Sequence, residues 1–475
     1  MYTQKERNSK KTMRLFNQII AFSLICILLS SWICPRPCHA LTIREEEDLS
    51  IEFMKAVRQI YVIVEDPLLQ NYINQVGQKI VSNFPSQPFG YHFYIVRQDS
   101  YNAFAGPAGN VFIHSGLFEV LDDEGELAGL LAHEIAHVYC RHISDIIAKS
   151  QKTSMATLAG VAAGILMGLG GASAVGSAVT IGSMAAGQTA VLAYTRENEV
   201  QADQVGRAYL QKSGYDLASL RAVLKKIRAV EWYDSKQIPT YLKTHPATED
   251  RIIYLDTLLE NQEKPLPQPS YDFMRAKYRL IAFYGNREVA VQKFQGLIDQ
   301  DPQNIMAQYA YGLVQERSGN SKAAIPYLKI SYEANPNDPY LINDLGRVYF
   351  LSGDYESAIK MLKNPESLKS GGSDGYLYLG QSQMELGRNQ EAADTFTKLL
   401  TYYPENREVH YFLGKTLGAI GQLGQAHYHL GLYYMDRNDP KTALFHLKKA
   451  QELETGDKQK EKIKDALEEL KKIKD

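Results

Sequence analysis

Apolar residues in the first part of the chain recur at three- and four-residue spacing: Ile51, Met54, Val57 and Tyr61, then Leu68, Leu69, Tyr72, Ile73, Val76 and Ile80. That period is one buried face of a helix, and it predicts two helices between Leu41 and about Ser82, divided by Pro67. The pattern then shortens. Tyr91, Phe93 and Ile95, and then Val111, Phe112 and Ile113, read as short strands joined through the turn-rich run from Ala105 to Asn110. A further helix starts near Asp122-Asp123-Glu124, where acidic side chains suit the positive end of the helix dipole. Its apolar stripe, Leu127, Leu130, Leu131, Ile135 and Val138, is the expected docking face.

Beyond Pro246 a longer period takes over. Gly312, Gly346, Gly380 and Gly414 fall at intervals of 34, as do Gly285, Gly319, Gly353, Gly387 and Gly421, with Ala290, Ala324, Ala358, Ala392 and Ala426 in phase. A 34-residue period with small residues where paired helices approach marks tetratricopeptide repeats, and Asp301-Pro302, Asn335-Pro336 and Tyr403-Pro404 punctuate the turns. After Gly421 the phase slips: Gly431, Asn438 and Ala443 reproduce the unit only 17 residues on, so either one helix serves two units or one has been lost. The charged tail from Lys458 to Asp475, with Ile463, Leu467, Leu470 and Ile473 on one side, reads as a solvated capping helix. Tyr309, Tyr311, Tyr349, Tyr376 and Tyr378 either supply contacts on a concave face or pack between helices.

Composition narrows this further. At 475 residues the chain exceeds one ordinary core, and 22% charged residues with a formal net charge of -2 give no electrostatic reason to expect nucleic acid. Lys5, Arg7, Lys10, Lys11 and Arg14 precede an apolar stretch from Leu15 to Ile33 and a small residue, Ala40, which reads as a secretory signal cleaved near Ala40; an uncleaved anchor is the alternative. Either way the body is exported. Cys34 and Cys38 lack the small neighbours of a lipidation signal, and the processed chain keeps only Cys140, hence no internal disulfide. Between Lys152 and Arg196 lie 43 residues without a charge, many of them Gly or Ala. Glycine lowers both apolarity and helix propensity, so residues 153–195 are expected to form a lid over the active site, with peripheral membrane contact, rather than a span. The glycines at 168–171 are not a phosphate loop, because no Gly-Lys-Ser/Thr closes them.

The chemistry lies at His133-Glu134-Ile135-Ala136-His137. Two imidazoles four residues apart share a helical face and can hold one metal, with Glu134 directed at the water to be activated. Zinc suits two nitrogens plus a carboxylate with one open position, where it acidifies water and polarises the scissile carbonyl, while Glu134 moves the proton to the departing amine. Glu199 is the expected third ligand, although spacing alone does not exclude Glu197. Asp203, one turn after Glu199, is placed to accept a hydrogen bond from a ligand histidine and fix its tautomer.

Asn102-Ala103-Phe104, the run from Gly109 to Leu117, His133 to His137, Glu199 to Asp203 and Thr244-His245-Pro246 together resemble the peptidase family that includes HtpX, the CAAX prenyl protease and mitochondrial inner-membrane relatives. With an export signal before and repeats behind, the chain most resembles that family's periplasmic beta-barrel assembly-enhancing branch. The resemblance implies one zinc per chain on His133, His137 and Glu199 rather than Glu197, support from Asp203, and a strand near Val111 that pairs with substrate backbone. It implies that His245 can approach the metal in a resting state. The alternative for His245, or for nearby Arg251, is to stabilise the oxyanion. Gln201 departs from the glutamate usual in relatives, and the repeats lack cysteines that some relatives use.

The expected architecture is an α+β, zincin-like, mainly helical metallopeptidase domain with a small sheet over residues 41–265, after a signal at 1–40, followed by an all-α tetratricopeptide solenoid over 266–475. The implied partners are unfolded or assembling outer-membrane proteins and the barrel assembly machinery, in the periplasm or peripheral to a membrane. A repeat scaffold or chaperone with a dead peptidase, and an integral-membrane protease spanning through the glycine-rich stretch, are the competing readings.

Overall fold

The computed structural model describes residues 41–149, 194–233, 240–259 and 269–474. The expected signal, its cleavage point and nearly all of the 153–195 stretch lie outside the described residues. No helix among the described residues is long and apolar enough to cross a membrane.

Helix α1 (Ile43–Ile60) opens on a reciprocal cap between Thr42 and Glu45, and α2 (Pro67–Val81) begins with Pro67 at its first turn and Asp66 as its cap. The expected break at Pro67 is therefore a helix start. Three strands follow, β1 (His92–Val96), β2 (Ala103–Ala105) and β3 (Asn110–His114), in the order β1-β3-β2. β1 and β3 are parallel, and β2 lies antiparallel to β3, with Phe104 opposite Phe112. The turn-rich run thus joins β2 to β3 instead of β1 to β3. This corrects the expected topology, and it also places Val111 in the centre of the sheet with neighbours on both sides. The outer edge of β1 is itself covered, since Val64 N–H donates to Ile95 O at 2.8 Å and Arg97 N–H to Val62 O at 2.9 Å. Among the described residues, β2 has no strand on its far side, and all three of its residues are fully buried. Its backbone faces β3 at Asn102, Phe104 and Gly106, so the N–H and C=O groups of Ala103 and Ala105 point outward.

A short helix, α3 (Ser115–Val120), leads to α4 (Glu124–Tyr139), capped by Asp123. Every residue of α4 from Gly125 to Val138 is buried, so α4 has no solvent side and its apolar stripe is only one of several packed faces. α5 (His142–Lys149), α6 (Arg196–Lys212), α7 (Leu217–Tyr233), α8 (Thr240–Thr244) and α9 (Thr248–Leu259) surround it. Two glycines permit the close contacts: a Cβ on Gly129 would sit 2.9 Å from the Leu220 backbone of α7, and one on Gly206 of α6 would sit 2.9 Å from the Ala132 carbonyl oxygen.

The C-terminal part is a run of paired helices: α10 (Tyr271–Tyr284), α11 (Arg287–Gln300), α12 (Ile305–Arg317), α13 (Ser321–Ala334), α14 (Pro339–Ser352), α15 (Tyr355–Leu362), α16 (Pro365–Ser370), α17 (Gly372–Glu385), α18 (Asn389–Tyr402), α19 (Val409–Ala419), α20 (Leu423–Asp436), α21 (Pro440–Leu453) and α22 (Asp457–Lys474). Gly312, Gly346, Gly380, Gly414 and Gly431 each face a large residue 16 positions later, Leu328, Leu362, Phe396, Leu430 and Leu447, with no room for a Cβ. α20 carries both Ala426, the small residue of a second helix, and Gly431, that of a first helix, so one helix serves two units. Asn438 takes the turn position held by glycine elsewhere and adopts the same left-handed backbone, at φ 55°. The period did not foretell the break at Asn364-Pro365, which splits one second helix into α15 and α16. Tyr309 is fully buried, Tyr311 packs edge-on to Tyr327, and Tyr378 packs on Phe350, so these tyrosines lie between helices. α22 buries Ala466 and Leu470 in one cluster with Ala443 and Leu447 of α21, as the terminal cap.

Candidate metal centre

His133 and His137 project from the same face of α4, and their Nε2 atoms lie 3.0 Å apart. α6 supplies Glu199, whose carboxylate is 3.4 Å from each of those nitrogens. Glu199, Ala202, Asp203, Gly206 and Leu210 form the buried face of α6, an i, i+3, i+4 series laid along α4. Glu197, two residues away, is exposed and lies outside that buried face. His245 enters from the short link between α8 and α9. One ligand atom from each of His133, His137, Glu199 and His245 lies within 4.8 Å of the others, and all four side chains are buried.

The next layer holds these groups in place. Asp203 Oδ1 accepts from His133 Nδ1 at 2.9 Å, which turns His133 Nε2 toward the cluster. Arg251 of α9, fully enclosed, grips Asp203 through Nε and Nη2 at 2.7 and 2.9 Å and reaches Glu199 with Nη1 at 2.7 Å. His245 Nδ1 lies 3.0 Å from Glu199 Oε1, and the Tyr241 ring stacks on the imidazole at 4.2 Å. Ala247, two residues on, is held left-handed at φ 61°, an uncommon state for a residue with a Cβ, in the turn that aims His245 inward.

Electrostatics follow from burial and these partners. Burial raises Glu134 above the ordinary carboxylate range, against the opposing pull of His245 and His133. Burial would raise Glu199 too, but His245 and Arg251 hold it well below its ordinary value. Asp203 resists the same burial because Arg251 and His133 keep it ionised. Burial keeps His137 neutral, while on His133 the burial penalty and Arg251 are outweighed by hydrogen bonds to Asp203 and Glu199, which lift it to about 9.

The residues fit a divalent cation. Both Glu134 oxygens and His245 Nε2 are buried without a hydrogen-bond partner, as are the Tyr194 and Tyr241 hydroxyls. Glu134 Oε1 and His245 Nε2 stand 3.6 Å apart. Orphaned donors and acceptors gathered beside two imidazole nitrogens and a carboxylate are what a metal site with space for a substrate oxygen requires. Residues that the sequence reading did not single out also belong to this group: Tyr194 stacks on His137 at 3.8 Å, and His142 lies directly behind it.

Comparison with known proteins gives the same assignment. Residues 67–259 match the model of Peptidase family M48, and residues 285–339 and 377–426 match a tetratricopeptide repeat model. The Beta-barrel assembly-enhancing protease of Yersinia pestis is 31% identical over 425 residues, covering 81% of this chain and 85% of that protein. The protein of the same name from Escherichia coli (strain K12) is 29% identical, covering 75% of this chain and 74% of its own. The Mitochondrial metalloendopeptidase OMA1 of Schizosaccharomyces pombe is 24% identical over 44% of this chain and 62% of its own length.

Proposed function

Because this chain belongs to the beta-barrel assembly-enhancing proteases of peptidase family M48, we propose that it is a periplasmic zinc endopeptidase. Its substrates are misfolded or stalled outer-membrane proteins, which the repeats recruit or chaperone. The observation that carries this reading is the buried convergence of His133, His137, Glu199 and His245 within 4.8 Å, beside a Glu134 with no hydrogen-bond partner.

His133, His137 and Glu199 would hold the zinc, a donor set of two imidazoles and one carboxylate that suits this ion. Bound zinc supplies Lewis acidity toward the scissile carbonyl and the attacking water. Glu134, raised by burial and free of partners, accepts the proton of that water and delivers it to the departing amine nitrogen. Asp203 and Arg251 are assigned to bracing: Nε and Nη2 of the guanidinium donate to Asp203, and Nη1 lies 2.7 Å from Glu199 Oε2. The strand at Val111 is occupied on both sides, by β1 and β2, so it offers no free edge to substrate backbone.

On this reading the peptidase region spans 41–265 and the repeats 266–475, and a signal before residue 41 delivers both to the periplasm. Outer-membrane polypeptides, and through them the assembly machinery, are the partners. Metal analysis paired with a peptide assay tests the reading. Glu134→Gln is expected to retain about one zinc per chain and lose turnover by at least about a hundredfold, whereas Glu199→Gln loses zinc itself. Full hydrolysis by Glu134→Gln would sink it.

A further inference from the structure

His142 sits five residues beyond His137 and belongs to no assigned function. It is 1% exposed and heads α5. Its position is set by the turn before it. Arg141 adopts φ 55°, reversing the chain at the end of α4, and its guanidinium is fixed by Glu46 at 2.6 Å and by the Leu41 carbonyl at 2.6 Å. The reversal lays His142 behind His137, Nδ1 to Nδ1, at 2.9 Å, and His142 Nε2 meets Gln201 Oε1 at 3.0 Å.

The order of hydrogens along this row follows from its outer end. An amide oxygen only accepts, so His142 Nε2 carries the hydrogen that Gln201 receives. Neutral His142 then has a bare Nδ1, which accepts from His137 Nδ1–H. His137 Nε2 is left without hydrogen, facing His133 Nε2 and Glu199. Asp203 does the same for His133 from the other side.

We propose that His142 is a positioning residue for the metal ligand His137, and that Gln201 fixes its tautomer through a Gln201–His142–His137 row. The proposal rests on the zinc site assigned above and deepens it. The two ligand histidines are then oriented by unlike means, a carboxylate braced by arginine for His133 and a neutral imidazole for His137. The neutral partner adds no negative charge beside a cluster that already holds Glu134, Glu199 and Asp203. It also gives a physical role to Gln201, since its oxygen accepts without drawing the proton away.

The test measures zinc affinity of the full chain by chelator competition and records the visible spectrum of the cobalt-substituted protein. His142→Phe keeps a flat ring but leaves the buried His137 Nδ1–H without an acceptor, and it should weaken zinc binding about 10- to 100-fold, the range for loss of such a partner, and alter the cobalt bands. His142→Asn offers an oxygen near the old Nδ1 and should restore both to near wild type. Gln201→Met, on the exposed end, leaves packing untouched and should give a smaller loss in the same direction, which keeps the proposal testable if His142→Phe fails to fold. Zinc binding by wild type with unchanged affinity and spectrum in His142→Phe, or in Gln201→Met where that is the folded variant, overturns this proposal alone. Failure of wild type to bind zinc or cobalt overturns the metal site beneath it.

Discussion

Asp66 and Arg279 meet across the junction between the peptidase region and the repeats, Nε donating to Oδ2 at 2.7 Å with both side chains buried. The other Asp66 oxygen caps α2 through the N–H groups of Leu68 and Leu69, while Arg279 Nη1 reaches Asp344 of α14 at 2.7 Å and the Tyr309 hydroxyl at 2.9 Å. One guanidinium thus ties α2 to α12 and α14. α10 itself is shared: Phe273, Ala276 and Leu280 lie in the catalytic core, whereas Tyr278, Ile281 and Ala282 lie in the first repeat core.

Arg279→Met should therefore destabilise the whole molecule. It strands Asp66 without its cation and leaves Asp344 with Arg347 alone, a loss of about 3 to 5 kcal/mol for an uncompensated buried charge. Thermal unfolding checks it. For the same reason a deletion starting at Pro269 strips Phe273, Ala276 and Leu280 from the peptidase core and should fold poorly, while one starting at Asp301 keeps α10 and should melt cooperatively. Equal behaviour of the two truncations would remove α10 from that core.

Gly206→Ala is expected to damage the metal site without touching a ligand. Its Cβ meets the Ala132 carbonyl, a backbone atom that cannot rotate away, so α6 must lift from α4 beside His133. Glu199 and Asp203 ride on that face of α6. A stability loss on the order of 1–3 kcal/mol with weaker zinc binding is expected; a variant as stable and as tightly metallated as wild type would contradict the close packing.

Much of this centre was legible because helical spacing is local. His133 to His137, and Glu199 to Asp203, are each one turn, so sequence distance reports which side chains share a face. Arg251 and His245 come from another segment: the resemblance at Thr244-His245-Pro246 flagged His245, and nearness to it flagged Arg251, but neither pointed to their contacts with Glu199. His142 was illegible because its place depends on a left-handed Arg141, a backbone state the residue type does not announce. β2 was missed for a different reason: Ala103-Phe104-Ala105 is too short to show a period, and alanine has little strand preference. Without β2 the turn-rich run was assigned between β1 and β3. The repeat period was legible because each glycine meets its partner at one fixed separation, but the slip after Gly421 left a shared helix and a lost one equally open, and α20 decides for the shared helix. Asn364-Pro365 broke that regularity without disturbing the glycine period.

The C-terminal repeats should loosen in acid. His410 Nδ1 and His429 Nδ1 lie 2.8 Å apart between α19 and α20, and burial first of all holds the two rings down at about 4 and about 3. Arg407 and Asp436 face His410, and His410 and Lys462 face His429. Both rings are neutral when folded and titrate near their ordinary value of 6.5 when unfolded. Their contribution is therefore present above about pH 6.5 and is lost progressively as pH falls toward 4 and below. The fall in Tm between pH 7 and pH 4.5 should be smaller in His429→Phe than in wild type; an identical pH dependence would assign the acid sensitivity elsewhere.

The last prediction concerns His245, for which a plug and an oxyanion donor are opposite roles. Its Nδ1 lies against the Glu199 carboxylate, which only accepts, so Nδ1 carries the hydrogen and Nε2 is a bare lone pair. That lone pair has no hydrogen-bond partner and stands 3.6 Å from Glu134 Oε1, on the side where substrate oxygen and water must enter. A bare nitrogen can ligate a metal, but it cannot donate to an oxyanion. The ring is held there by Tyr241 stacking and by a turn in which Pro246 restricts the residue before it and Ala247 is left-handed. We propose, on these grounds, that His245 occupies the open position of the zinc in a resting state, which protects polypeptides in transit from an uncontrolled protease. His245→Ala should then raise kcat/KM for a short unstructured peptide, compared with wild type at matched zinc occupancy. Zinc itself should be bound about as well, because His133, His137 and Glu199 remain. A fall in kcat/KM would mean that the ring serves the transition state, and the plug would have to be abandoned.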